Sequence, residues 1–235
     1  MRKYLSAAFE RARLLGKIKY NPVRATDGEK SEPATRGTFS PEQVARLVQA
    51  TRGMKDGHDW AGAVLFAYGC GGRLQDVANL RWNNLDCENA IVTFRQRKTG
   101  AVAIVGLHPD FLDWIARSPP CDDPNAFLFP ALAGCNGAGR HGLSRAFEQL
   151  MERAGIKSAL IRERLPGKKA SRSLRALSFH AFRHTVATEI FNQAALKEIT
   201  RRVTAHAAGG VVDRYIHQDI AAIREATKLI PRLPL

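Results

Sequence analysis

Cysteine and long apolar runs are both scarce in this chain of 235 residues. The longest apolar run, 61–70, is interrupted by Gly62 and is shorter than the roughly 20 residues that a membrane span requires. No apolar signal region opens the sequence. The four cysteines lack the close pairing of zinc sites and disulfide frameworks, so we expect a soluble, cytoplasmic protein with reduced thiols and no metal. They are Cys70, Cys87, Cys121 and Cys135.

Acidic residues are outnumbered by basic ones. The chain has 22 Asp and Glu against 36 Lys and Arg, a net charge of +14, which favours a polyanionic partner over a merely solvated basic surface. The stretch 157–175 has seven basic residues and a single acidic one, Glu163. We interpret it as a basic loop that contacts the polyanion. Its basic residues are Lys157, Arg162, Arg164, Lys168, Lys169, Arg172 and Arg175.

Hydrophobic periodicity predicts a mainly α-helical fold with a small antiparallel β-sheet, an α+β class. Ser40-Pro41-Glu42-Gln43 is typical of a capped helix start. Ile91–Arg95 and Val102–Val105 read as the two strands of a hairpin that turns at Lys98-Thr99-Gly100. Loops are predicted over 117–142 and 158–176. Helices are predicted over 4–16, 59–69, 143–154, 180–193 and 196–204, with another carrying Tyr215.

The same reading divides the chain into three parts. A helical segment, 1–22, precedes a linker, 23–39, rich in Gly, Pro, Ser, Thr and charge. The main domain is 40–235, with a tail helix at about 218–230. Apolar residues in this tail share one face, which either packs on its own domain or docks on a neighbouring protomer.

Six residues of the main domain have side chains suited to phosphodiester chemistry, and no matching carboxylate cluster accompanies them. A phenol among cations suits attack on phosphorus without a metal ion, because fixed cations stabilise the charge that builds on the non-bridging oxygens. Each residue alone has a structural explanation, such as a packed tyrosine or a hydrogen-bonded histidine. The six are Arg73, Lys98, His180, Arg183, His206 and Tyr215.

Four blocks in order resemble the motifs of tyrosine recombinases, the phage-integrase family. Gly72 to Trp82 resembles the first arginine motif and Arg97-Lys98-Thr99-Gly100 the lysine segment. His180-Ala181-Phe182-Arg183-His184-Thr185 resembles the His-x-x-Arg-His block. Thr204-Ala205-His206 and Asp213-Arg214-Tyr215 resemble the closing segment, although Ala205 replaces the usual glycine. Residues 1–22 resemble the last helix of the family's core-DNA-binding domain, as in a fragment or a truncated form.

The resemblance implies a catalytic domain at 40–235 that breaks and rejoins double-stranded DNA without metal, ATP or another cofactor, with the basic loop 157–175 contacting DNA phosphates. Tyr215 would form a 3′-phosphotyrosyl bond, Arg73 and Arg183 would clamp the phosphate, and Lys98 would protonate the leaving oxygen. His180 would accept the phenolic proton or hold the phosphate, and His206 would bind a phosphate oxygen. Asp76 either orients Arg73 or is a surface charge, and His184 packs or hydrogen-bonds behind the site. The tail would join protomers in a DNA-bound homotetramer, so we expect deletion of 219–235 to weaken assembly more than DNA binding.

Helix geometry adds one condition. Tyr215 lies nine positions after His206, a rotation of about 900°, which would place the two on opposite faces of a continuous helix. Gly209-Gly210 provides the break that would let both reach one phosphate.

Three alternatives stay open at this point. His180 and His184 are spaced like a metal pair, but no third ligand is evident in the sequence. A relaxing topoisomerase of the single-strand type would use the same covalent chemistry. A DNA-binding protein of the same fold without turnover would use the same basic loop.

Overall fold

The computed structural model describes residues 2–24, 37–138, 142–162, 174–194 and 220–235. The chain forms two compact units, Met1–Thr35 and Arg36–Leu235. In the first unit α1 (Arg2–Leu14) precedes a short 3₁₀ helix (Pro22–Arg24). Asn21 joins the two, since its Nδ2 donates to Ser6 O at 2.9 Å. Helix α1 begins and ends two residues earlier than the helix predicted over 4–16.

The second unit is mainly helical with a small sheet, which confirms the predicted fold class. A three-stranded antiparallel sheet has the order β1-β2-β3, and β4 pairs with β5 antiparallel. None of the helices within the described ranges is long and apolar enough to cross a membrane. The elements in chain order are α2 (Pro41–Ala50), α3 (Gly57–Cys70), α4 (Leu74–Val77), β1 (Leu85–Asp86), β2 (Ile91–Arg95), β3 (Val102–Gly106), α5 (Pro109–Arg117), α6 (Leu143–Arg153), β4 (Leu160–Arg162), β5 (Leu174–Arg175), α7 (Ala181–Ala194) and α8 (Ile220–Lys228).

Helix α3 is the centre of the core. It is apolar on all sides and buried along almost its whole length, as expected of a helix surrounded by others. Helices α2, α5 and α7 pack around it. Phe39 belongs to the same core and its backbone N donates to Thr185 Oγ1 at 2.8 Å. The packed unit therefore begins before residue 40, and Phe39, assigned to the linker from the sequence, is a core residue.

Local signals located several elements correctly. Ser40 caps α2, with its Oγ accepting from Gln43 N at 3.2 Å while Gln43 Oε1 accepts from Ser40 N at 3.0 Å. The predicted hairpin is β2 and β3, paired from Ile91 with Gly106 to Arg95 with Val102. Helix α5 was not predicted. The predicted helix over 196–204 and the helix around Tyr215 lie outside the described residues.

The predicted loop over 158–176, which contains most of the basic stretch, is not a loop throughout. Its two ends form the strands β4 and β5, in which Leu160 pairs with Arg175. Ser158 locks this pairing, because its Oγ accepts from Leu177 N at 2.7 Å and donates to Leu177 O at 3.0 Å. The composition of the stretch is typical of a loop, but long-range pairing decides the backbone at its ends.

The tail docks on its own domain. Helix α8 packs against β3 and α7. Gly106 in β3 faces Thr227, and a Cβ at that glycine would overlap the threonine side chain. Deletion of 219–235 would therefore remove part of the core and impair folding, so the predicted effect of this deletion on assembly cannot be separated from an effect on folding. The tail residues buried in the core are Ile223, Ala226, Ile230 and Leu233.

Polar contacts hold the last residues of the tail to the start of α5. The buried Asp110 carboxylate accepts from Leu233 N at 2.9 Å and from Arg232 Nε at 2.8 Å. His108 Nε2 donates to Ile230 O at 3.1 Å, and Tyr68 Oη donates to Pro231 O at 2.9 Å. Burial lowers the pKa of His108, so the neutral ring is favoured in this contact.

We expect Asp110→Ala to lower the free energy of unfolding by about 2 kcal/mol, because it leaves the Leu233 N–H buried without its acceptor. Asp113→Ala is the matched control. It removes a carboxylate that also pairs with Arg232, at 2.6 Å, but is 52% exposed, so the cost should stay below about 1 kcal/mol. Urea denaturation measures the free energy of unfolding of both variants, provided that the m-value is unchanged. Equal shifts would contradict the assignment of Asp110 as the main polar anchor.

Candidate active site

Arg73 is presented by a sharp turn between α3 and α4. Helix α3 is followed by its C-cap, Gly71, whose φ of 62° lies in the left-handed region that favours glycine. Arg73 then adopts an extended conformation and precedes α4 as its N-cap. Its side chain is 25% exposed and lies 3.7 Å from Asp76 Oδ2. Its Nη1 donates to Gln96 Oε1 at 2.5 Å.

Arg183 lies in the first turn of α7 and is buried against the same glycine. Its Nη1 donates to Gly71 O at 3.3 Å. A Cβ at Gly71 would lie 3.1 Å from Arg183 Cα, so the absence of a side chain there allows α7 to approach the end of α3 closely. The turn that positions Arg73 therefore also contacts Arg183.

The two guanidinium groups are near enough to repel each other. Burial lowers the pKa of Arg183 to about 10, and repulsion from Arg73 is the second cause. Arg183 still carries its charge at neutral pH. Bringing two cations together costs free energy, and an anion bound between them would recover it.

Lys98 occupies the turn between β2 and β3 and is exposed. The turn is closed by Gln96 N donating to Ala101 O and by Gly100 N donating to Gln96 O, both at 2.8 Å. Gly100 has a φ of 72°. The lysine thus sits at the tip of a tight hairpin rather than on a long loop.

His180 immediately precedes α7 and is exposed, whereas its neighbours Phe179 and Phe182 are buried in the core. These two phenylalanines anchor the start of α7 in the core, and Arg183 N donates to His180 O at 3.2 Å. The rings of His180 and His184 lie in edge contact, with centroids 5.4 Å apart. In the part of the chain that the structure describes, no group of three His, Cys, Asp or Glu side chains could hold a metal ion.

One cavity of about 470 Å³ joins these elements. Arg73, Lys98 and His180 line it, together with Asp76 and Arg97. Arg183 does not line it, but its guanidinium donates to the carbonyl of Gly71, two residues before Arg73. Four of the six predicted residues therefore gather in one region. The other two, His206 and Tyr215, lie outside the described residues.

Asp76 is buried, so it is not a surface charge. Besides its contact with Arg73, its Oδ1 accepts from Arg97 N at 2.9 Å, which ties α4 to the lysine turn. Sequence reasoning missed a second such residue, Gln96, which is 2% exposed. The sequence signal for Gln96 was weak, because it consists of a single amide side chain at an inward-facing position after a strand.

The basic stretch is only partly described. Lys157 and Arg175 are exposed and line a second cavity of about 450 Å³ that also includes Glu148 and Glu152. Arg175 Nη1 donates to Ser158 O at 3.2 Å. Arg162 belongs to β4, and the others lie outside the described residues: Arg164, Lys168, Lys169 and Arg172. Their predicted contact with DNA stays a prediction.

Known structures share this fold at low sequence identity. The integrase from mycobacterium phage Brujita matches with a TM-score of 0.58 and 16% identity, over 100% of this chain and 72% of that one. A lambda integrase(75-356) dimer bound to a COC′ core site matches with a TM-score of 0.58 and 19% identity, over 93% and 72%. A lambda integrase tetramer bound to a Holliday junction matches with a TM-score of 0.57 and 20% identity, over 93% and 60%.

Comparison of sequences gives the family. No curated protein matches this sequence. The phage integrase family model matches residues 38–221, which is most of the chain and spans all four motif blocks. The chain therefore belongs to the phage integrase family.

Proposed function

We propose that the chain is a site-specific DNA recombinase that cuts and rejoins strands through a covalent bond to Tyr215. The observation that carries the proposal is that one turn holds both arginines: Arg183 donates to Gly71 O, and Arg73, two residues further on, lines a cavity with Lys98 and His180. Two fixed guanidinium groups match the non-bridging oxygens of one phosphate, and each such donor is worth roughly 3–4 kcal/mol of barrier.

The proposed reaction exchanges one ester for another. The Tyr215 oxygen forms a bond to phosphorus, and the bond from phosphorus to the 5′ oxygen breaks. The phenolic proton passes to a base, for which His180 is the described candidate, and Lys98 gives a proton to the departing 5′ oxygen. His206 would bind a phosphate oxygen. The protein–DNA ester conserves the energy of the broken bond, so rejoining by the reverse steps needs no ATP.

Metal ions have no role in this scheme because the protein supplies the cations. Arg73 and Arg183 neutralise the developing charge, and Lys98 supplies the acid that a leaving alkoxide needs, a contribution of about 10²–10⁴-fold. We therefore propose that cleavage proceeds in the presence of a chelator.

The tetramer is a separate part of the proposal. A lambda integrase is known as a tetramer on a Holliday junction, and we propose the same assembly for this chain during recombination between two DNA sites. In the single chain the tail packs on its own domain, so a tail that joins protomers would have to leave that position. Scattering from the complex with a four-way junction would give the mass of four chains if the tetramer forms, and of fewer if it does not.

The function is tested by covalent capture from a library of nicked duplexes with randomised sequence, with a chelator present. A nick near the cleavage point lets the short 5′ fragment diffuse away, which prevents rejoining and traps the adduct. We expect captured sequences to converge on one site, and pairs of such sites to exchange strands. Relaxation of any plasmid without convergence would instead indicate a topoisomerase, and binding without adducts a non-catalytic protein.

A further inference from the structure

Gln96 connects the first arginine of the site to the lysine turn. Its side chain is buried, and its Oε1 accepts two hydrogen bonds, from Arg73 Nη1 at 2.5 Å and from Thr99 Oγ1 at 3.0 Å. One oxygen atom therefore contacts both the phosphate clamp and the residue that follows Lys98. Its backbone closes the same turn through Ala101 and Gly100.

A second contact holds the other side of the lysine. Asp76 Oδ1 accepts from Arg97 N at 2.9 Å, and Asp76 Oδ2 lies 3.7 Å from Arg73 Nη1. Lys98 thus lies between two residues, Arg97 and Thr99, and each is bound by an acceptor that also contacts Arg73. An exposed hairpin tip is in this way tied to the buried part of the site.

We propose that Gln96 is a positioning residue of the reaction: it couples Lys98 to Arg73, so that the acid is placed at the leaving oxygen of the phosphate that Arg73 holds. This inference rests on the proposed function. An amide suits the position because its oxygen accepts both bonds while adding no negative charge beside a bound phosphate. A carboxylate would accept the same bonds but offset the charge of Arg73.

Gln96→Met is the direct variant, since it keeps the volume and removes the acceptor. We expect cleavage of the captured site to slow by about 10–100-fold, because misplacing an acid by about 1 Å has effects of this size. Gln96→Glu should also be slow, through its charge. Thr99 is exposed, so Thr99→Val tests the second bond with little risk to folding. It should show part of the loss, and Thr99→Ser should cleave like wild type.

The chemical readout is a substrate with sulfur in place of the bridging 5′ oxygen. Cleavage then breaks a phosphorus–sulfur bond, and the departing thiolate needs no proton at neutral pH to leave, since a thiol has a pKa of about 8.5. The loss in Gln96→Met should be largely restored on this substrate, as in Lys98→Ala. On the ordinary substrate, the double variant Gln96→Met with Lys98→Ala should be within about 2-fold of Lys98→Ala alone. A residue that only supports the fold would show neither effect.

The outcomes separate this inference from the function it depends on. If wild type forms no adduct with either substrate, the proposed function fails and the role of Gln96 falls with it. If wild type cleaves and both Gln96→Met and Thr99→Val match it, only the coupling is refuted. A loss that sulfur does not restore would also overturn the coupling, because Gln96 would then act through Arg73 alone.

Discussion

Tyr215→Phe is expected to leave no covalent protein–DNA adduct on a nicked substrate, whereas wild type accumulates one that survives denaturant. The substitution removes a single oxygen and keeps the ring. Since the phosphate contacts from basic residues remain, DNA affinity should change by less than about 2-fold. Gel electrophoresis after denaturation measures the adduct, and a mobility shift at fixed salt measures the affinity.

The other tyrosines provide the control. Of the four in the chain, Tyr4 and Tyr20 belong to the first unit and are exposed. Tyr68 is buried, and burial raises the pKa of its phenol, which makes it a poor nucleophile. Tyr20→Phe should therefore form the adduct as wild type does. An adduct of undiminished yield in Tyr215→Phe would refute the proposed nucleophile.

Arg183→Ala should reduce the rate of adduct formation by about 10²–10³-fold, the usual effect of removing one donor to a developing oxyanion. Arg183→Lys should recover little of it, because an ammonium cannot span two phosphate oxygens as the guanidinium fork does. Single-turnover cleavage at saturating protein isolates this effect from binding. Arg117→Ala, an exposed arginine on α5, is the control and should cleave normally.

Arg183 is also buried in the fold, so its variants need a stability measurement. The guanidinium donates to Gly71 O, and its loss leaves a carbonyl without that donor, a cost of about 1–3 kcal/mol. Urea denaturation should show that Arg183→Lys and Arg183→Ala remain folded under the assay conditions. Wild-type cleavage rates in a folded Arg183→Ala would contradict the role of Arg183 as a phosphate clamp.

The residues proposed to carry the chemistry were easier to predict from the sequence than the residues that position them. Arg73, Lys98, His180 and Arg183 stand in short motifs, and local signals such as the Ser40 cap and the glycine turns located the elements that carry them. Gln96 stands in no such motif, because an amide that bridges two partners can be recognised only when both partners are in view. The burial of Asp76 was hidden for the same reason: it depends on the hairpin packing over α4.

Long-range packing explains the remaining differences. The pairing of Leu160 with Arg175 joins residues whose local composition is typical of a loop. The apolar face of the tail indicated burial but not the surface that covers it, which is decided by Thr227 against Gly106 and by Asp110 against Leu233. Helix α5 is short, and its cap is His108, which accepts from Asp110 N at 3.3 Å, rather than one of the usual cap residues.

Mass spectrometry of the trapped adduct reports the attacking atom itself. Digestion with trypsin and nuclease, after trapping with a chelator present, should add the mass of a 3′-linked nucleotide to the peptide 215–224, which begins at Tyr215. The released strand should carry a free 5′ hydroxyl. A nucleotide on any other peptide, a 5′ phosphate on the released strand, or an adduct that forms only with magnesium would contradict attack by Tyr215 among the protein's own cations.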